Sequence, residues 1–271
     1  MNQFSADWLG LREPYDVRAR NRDVLDALGA RVASHDAIAI VDLASGTGAT
    51  MRAISSRLPH QQSWRLVDND PRLLALASSY AQGARSDVVT VSIDIAQEIG
   101  AALAGTVDLV TMSALLDLVS ADWLDRLATE IASRGLLAYA ALSYDSRVSF
   151  EPAEPNDARI IAAVNRHQRS DKGFGPALGP TAAFKAISCF RALGYTIVQG
   201  ASDWSLGRKD IEIQFALLEG WAAAANESGD VGLAEIGAWL HLRRDHVASG
   251  RSTIRVGHID FLARPEAPAE R

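Results

Sequence analysis

The chain has 271 residues, 48% hydrophobic and 22% charged, enough for one large domain or one domain with a lid. Its formal charge of -6 argues against a nucleic-acid partner, because such binders carry a basic footprint. The single Cys189 excludes an intramolecular disulfide framework, and no apolar run has membrane-spanning length, so a cytoplasmic protein without a membrane partner is expected.

The opening stretch, Met1 to Gly10, contains Asp7 and lacks the pattern of a secretory signal. Trp8 to Pro14 reads as a turn-like lead, with Pro14 punctuating before a helix that Asp16 caps. Val17, Val24, Leu25, Leu28 and Val32 recur there at helical spacing, and Arg18, Arg22 and Arg31 form the solvated face. A first strand over residues 38–43 runs into Ala44-Ser45-Gly46-Thr47-Gly48, and Met51, Ile54 and Leu58 fit the helix that follows. Small residues after a buried strand let backbone N–H groups approach a ligand.

Residues 64–67 form a short second strand ending at Asp68-Asn69. Asp70 before Pro71 is an N-cap followed by a favourable first helical residue, which leaves Asp68 at the strand end to face a ligand. A carboxylate there accepts from ribose hydroxyls. The third strand, 88–93, again ends in an acid, Asp94. The fourth, 107–112, leads to Ser113-Ala114-Leu115-Leu116-Asp117, after which Ser120 or Asp122 caps a helix with Leu124, Leu127 and Ile131. An apolar fifth strand spans 135–144. Five alternations of strand and helix predict an α/β, doubly wound, mostly parallel sheet with helices on both faces.

Asp-x-Ala-x-Gly-x-Gly at Asp42 to Gly48, the acids Asp68 and Asp94 ending the next two strands, and the apolar fourth strand after Asp108 resemble a class I S-adenosylmethionine-dependent methyltransferase over residues 38–145. The family prefers glycine where this chain has Ala44. The resemblance implies that Gly46 and Gly48, with Ala44, line the methionine and ribose, and that Asp42 holds the amino end. It gives the ribose to Asp68 with Asn69, the adenine amino group to Asp94 and its ring to Ile95, and the neighbourhood of the transferred methyl to Ser113. A nicotinamide dinucleotide site is the alternative for the same loop. It would put its three glycine positions at Ala44, Gly46 and Ala49, and it leaves Asp94 unexplained. A third possibility is a cofactor-binding fold without turnover.

In the second half Ile160, Ile161 and Val164 mark a helix whose stripe continues into His167, Gln168 and Asp171. Residues 172–180 hold three glycines and two prolines around Phe174, the composition of a shaped, ligand-facing loop. A helix with Phe184, Ile187, Phe190 and Leu193, between which Cys189 packs, leads to a sixth strand at 195–198. Two helices, 210–226 and 231–246, precede a seventh strand over 253–262. The antiparallel last strand is a property of the methyltransferase family and not of the nicotinamide fold. His258 and Asp260 share a face of that strand, and no further ligands accompany them for a metal, so none is expected.

The expected organisation is an N-terminal helical cap (1–35), a seven-stranded methyltransferase domain (36–263) and a frayed tail (264–271). Lid elements at 146–180 and 205–250 form the acceptor side. The expected reaction is in-line methyl transfer from S-adenosyl-L-methionine to a small-molecule O or N acceptor, releasing S-adenosyl-L-homocysteine. His167 and Asp117 are the candidate bases, Arg12 and Lys172 would orient the acceptor, and Phe174 and Trp204 would wall it.

Overall fold

A computed structural model describes residues 5–81 and 86–266. Its centre is a sheet of eight strands: β1 (Ala37–Leu43), β2 (Gln61–Asp68), β3 (Asp87–Ser92), β4 (Leu109–Ser113), β5 (Leu137–Glu151), β6 (Tyr195–Ala201), β7 (Trp204–Leu206) and β8 (Thr253–Pro265). The order is β3-β2-β1-β4-β5-β8-β6, with β7 also beside β8. The first five strands pair in parallel, and β8 runs antiparallel to β5, β6 and β7. The runs of β1 and β4 are apolar on both faces because helices cover both sides.

The predicted doubly wound sheet and its antiparallel last strand are present, with one strand more than the seven expected. That strand, β7, has three residues, too few to show a period in the sequence. β6 and β7 pair with successive stretches of β8, so they act as one edge strand broken at Ser202-Asp203. β5 is also longer than the predicted 135–144. It bends at Leu142 (φ 55°) and Ser146 (φ 73°) and continues to Glu151 against β8. Arg264 and Pro265 lie in β8 rather than in a frayed tail; residues 267–271 of that predicted tail lie outside the described residues.

Helices α1 (Ala6–Ala19) and α2 (Arg22–Val32) replace the predicted lead and single helix. Ser5 caps α1 by accepting from the Trp8 N–H, and Pro14 sits inside it, removing one backbone donor without ending it. The break falls at Arg20-Asn21 instead, where the Asn21 side chain accepts from the Val24 N–H and starts α2. Asp16 is therefore no cap. After the glycine loop come α3 (Ala49–Ile54) and α4 (Pro71–Tyr80), the latter capped by Asp70 as its sequence predicts. A short α5 (Ile99–Ala102) and then α6 (Ala121–Ser133), capped by Ser120, complete the first half. The second half adds α7 (Asp157–His167), α8 (Ala182–Ala192), α9 (Ile211–Ser228) and α10 (Leu233–Ala248).

Two cores lie on the two faces of the sheet. One joins Val41, Leu43 and Val110 to Trp123, Leu127 and Phe190 from α6 and α8; the other joins Ile38, Ile40 and Leu66 to Leu28, Met51 and Leu74. A third core sits beyond the carboxyl ends of the strands, where Tyr144, Phe150 and Trp204 meet Ile160, Trp221 and Trp239 of α7, α9 and α10. Trp8, Leu11 and Tyr15 of α1 pack on this third core, so α1 bridges it to the glycine loop.

Candidate active site

The turn after β1 is a chain of left-handed residues. Ala44 (φ 51°), Gly46 (φ 53°) and Gly48 (φ 78°) all adopt positive φ, and Gly48 N–H closes the turn on the Ser45 carbonyl at 2.8 Å. Two glycines cost nothing there, whereas Ala44 carries a strained backbone that a glycine would relieve. A side chain on Gly46 would also press on Leu9 of α1, its Cβ 3.1 Å from Leu9 Cδ1. Asp68 at the end of β2 holds the loop from the far side. Its Oδ2 accepts from the Gly46 N–H at 2.8 Å and its Oδ1 from the Asp70 N–H at 2.9 Å. Each carboxylate oxygen has a second lone pair, so hydroxyl donors still find acceptors on Asp68.

Beneath the loop Asp42 is fully buried. Thr111 on the adjacent β4 donates to its Oδ1 at 2.7 Å, and its Oδ2 has no hydrogen-bond partner. Burial pushes its carboxyl up to about 7. Opposed to it stands Arg20, buried at the α1–α2 break, where its Nη1 donates to Tyr139 at 3.0 Å and its Nη2 to Ser113 Oγ at 3.4 Å. Arg20 Nε is likewise without a partner, and its charge lowers the Asp42 carboxyl. An unpaired buried acceptor and an unpaired buried donor, near enough for their charges to interact, fit a zwitterion, an α-amino acid group with one ammonium and one carboxylate. That is the methionine end of S-adenosylmethionine. Arg20 escaped the sequence reading because it lies between Arg18 and Arg22 of a face that looked solvated; the N-cap signal of Asn21 next to it was the available clue.

Asp94 lies just past β3, where its Oδ1 accepts from the Ala96 N–H at 3.0 Å and shapes the turn. Ile95 is buried, and its carbonyl receives the Trp123 indole N–H at 2.7 Å. Phe174 stands edge-on to that same indole, ring centres 5.2 Å apart, so it belongs to the Trp123 side of the sheet. The loop that carries it is shaped as its composition predicted: Asp171 Oδ1 accepts from the Gly173 and Gly175 N–H groups.

The remaining predicted site residues divide into two places. Arg12 and Trp204 come together beyond β4 and β5: Arg12 pairs with Asp16 at 2.8 Å, and the Trp204 indole N–H donates to Asp16 at 3.0 Å. Asp117 is close enough to feel the Arg12 charge, yet burial pushes its carboxyl up to about 6, and its Oδ1 has no partner. Tyr144 and His258, not predicted for the site, complete this cluster. The His258 ring lies 5.4 Å from that of Trp204 and 6.2 Å from that of Tyr144, and burial with the Arg12 charge holds its imidazole down to about 3, hence neutral. The sequence reading weighed His258 for metal alone; its cross-strand partner Tyr144 appears only when β5 and β8 are paired.

His167 and Lys172 lie elsewhere. His167 Nε2 meets the exposed Glu227 at 2.9 Å in a pair at the ends of α7 and α9, its own ring half-buried, and Lys172 Nζ stands 3.4 Å from the same ring. Neither residue has a described contact with Asp117, Ser113 or the glycine loop. Among the described residues no helix is long and apolar enough to cross a membrane.

Residues 40–134 match the sequence family described as a methyltransferase domain. The sequence has no match among curated proteins. A Bacillus halodurans protein assigned as a methyltransferase aligns at TM-score 0.51 and 14% identity, covering 90% of this chain and 99% of its own. A cyclopropane synthase of Mycobacterium tuberculosis aligns at TM-score 0.52 and 12% identity, with 96% and 95% covered. At these identities the two structures establish a shared fold.

Proposed function

We propose that this protein, whose residues 40–134 match the methyltransferase-domain family, transfers a methyl group from S-adenosylmethionine to a small-molecule O or N acceptor by in-line displacement. The observation that carries the reading is the pair of buried, unpartnered polar atoms, Asp42 Oδ2 and Arg20 Nε, beside the glycine loop. When bound, S-adenosylmethionine supplies a methyl on a sulfonium, an activated leaving group. The chain then has to hold and align.

Arg20 receives the carboxylate and Asp42 the ammonium, and Asp68, with Asn69 beside it, offers its remaining lone pairs to the ribose hydroxyls. Asp94 accepts from the adenine amino group, Ile95 packs on the ring, and Ser113, steadied by Arg20, borders the reacting carbon. Alignment of two reactants in a dry site supplies much of the rate. Asp117 takes the acceptor proton. A carboxylate lifted towards neutrality by burial is a better base than an ordinary one, whereas His167 is spent on a surface pair. Arg12 and Trp204 form the acceptor wall.

Calorimetry with S-adenosylmethionine, S-adenosylhomocysteine and NAD tests the reading: the first two bind, and binding of NAD alone would overturn it. Cofactor binding should weaken as pH falls through about 7, because protonated Asp42 no longer answers an ammonium. Turnover at saturating cofactor should fall as pH drops through about 6, where Asp117 gains its proton, and Asp117→Asn should lose it at every pH. His167→Ala should keep turnover; its loss at saturating acceptor would return the base to His167.

A further inference from the structure

On the proposed acceptor side the buried carboxylate of Asp117 feels one cation among the described residues, Arg12, and Arg12 is bound elsewhere. Asp117 is 7% exposed, and its Oδ1 has no hydrogen-bond partner. Arg12 is held by both Asp16 oxygens at 2.8 and 3.2 Å. His258, whose backbone N–H is tied to Asp203, stays neutral and contributes no charge. A buried carboxylate lacking a partner is costly, and a ligand cation removes that cost.

The walls of the same cluster already attract a cation. The Arg12 guanidinium lies 5.0 Å from the Trp204 ring and 5.9 Å from that of Trp8. Aromatic faces present negative quadrupole, and the His258 ring lies 5.4 Å from that of Trp204 and 6.2 Å from that of Tyr144, whose hydroxyl feels the Asp117 charge. Hydroxyl acceptors need no cation-attracting wall and leave the charge of Asp117 unbalanced until they ionise.

We propose that the methyl acceptor is an amine that binds as its ammonium ion, its charge met by Asp117 and its carbon skeleton seated against Tyr144, His258 and Trp204. The inference rests on the methyltransferase reading above. Asp117 takes one proton from the ammonium and frees the nitrogen lone pair. The lone pair forms the new N–C bond as the S–C bond breaks with its electrons left on sulfur. The product leaves as a methylated ammonium, and the proton on Asp117 passes to solvent.

The protein is titrated by calorimetry with phenethylamine, with 2-phenylethanol of the same shape, and with 3-phenylpropanoate. The amine alone is expected to bind, and Asp117→Asn to weaken it by at least about tenfold. A thermal melt shows that the variant is folded. Equal binding of the alcohol, no binding of the amine, or an amine affinity unchanged in Asp117→Asn would each overturn the proposal. S-adenosylmethionine in the same instrument separates the two ideas. Failure of that titration sinks the methyltransferase reading whatever the amine does, and methyl transfer to alcohols but not amines sinks the ammonium site alone.

Discussion

Ala44 and Asp42 show at single positions what the glycine turn costs in stability, set against the binding proposed for it. Ala44 occupies a left-handed conformation that costs a side-chain-bearing residue about 1–2 kcal/mol, partly offset by the freedom a glycine would add to the unfolded chain. Ala44→Gly should therefore raise stability by up to about 1 kcal/mol in urea denaturation; a loss of that size would mean the Ala44 methyl is packed more usefully than its conformation suggests. Asp42 acts in the opposite sense. Its carboxyl holds a proton more readily in the folded chain, where it titrates near 7, than in the unfolded one, so the ligand-free protein loses stability as pH rises towards 7. Asp42→Asn should remove this penalty, raising stability at pH 8 by at most roughly 4 kcal/mol, while abolishing cofactor binding. Melting curves at pH 5 and pH 8 check the sign, since the gain should shrink at the lower pH.

The element that ties the proposed cofactor side to the proposed acceptor side is α1. Its Glu13 takes a two-point grip from Arg52, both bonds 2.7 Å, and Arg52 also donates to the Thr47 carbonyl in the glycine loop. One turn away Arg12, Asp16 and Trp204 lock the same helix to β7. Asp16 is its one buried residue, so polar pairs add to the half-buried Trp8, Leu11 and Tyr15 in holding α1 down. Glu13→Gln should loosen it by about 1–3 kcal/mol, and hydrogen exchange of the α1 amides should accelerate while those of β1 and β4 do not change. Uniform acceleration across the chain would show that the pair supports the whole fold instead.

For the whole molecule the joining residue is Asp260 in β8. It is fully buried and accepts from the Leu142 N–H at 2.7 Å and the Asn21 N–H at 2.9 Å, with the Tyr139 hydroxyl at 3.5 Å. One carboxylate thereby fixes the bend of β5, the start of α2 and, through Tyr139, the position of Arg20. Asp260→Asn sets an NH₂ group against backbone donors and should cost roughly 2–3 kcal/mol of global stability. If the variant melts like the parent but loses cofactor affinity, Asp260 serves the site rather than the fold.

Much of this protein is legible along the chain. The strand–helix alternation, the Asp70 and Ser120 caps, the glycine turn and the acids Asp68 and Asp94 all rest on local signals: periodicity, capping chemistry and the conformational range of glycine. The course of α1 through Pro14 was not legible, because one missing donor stops a helix only when nothing else holds it. Strand β7 was too short to announce itself. Arg20, Tyr144 and His258 join the proposed site only through contacts between segments far apart in sequence. The sequence by itself determined the strand–helix order of the first half and the glycine turn, since these follow from near-neighbour physics. Which carboxylates are left unpaired, which arginine is buried and which rings surround Asp117 were decided by tertiary packing, because burial and charge pairing are properties of neighbours in space.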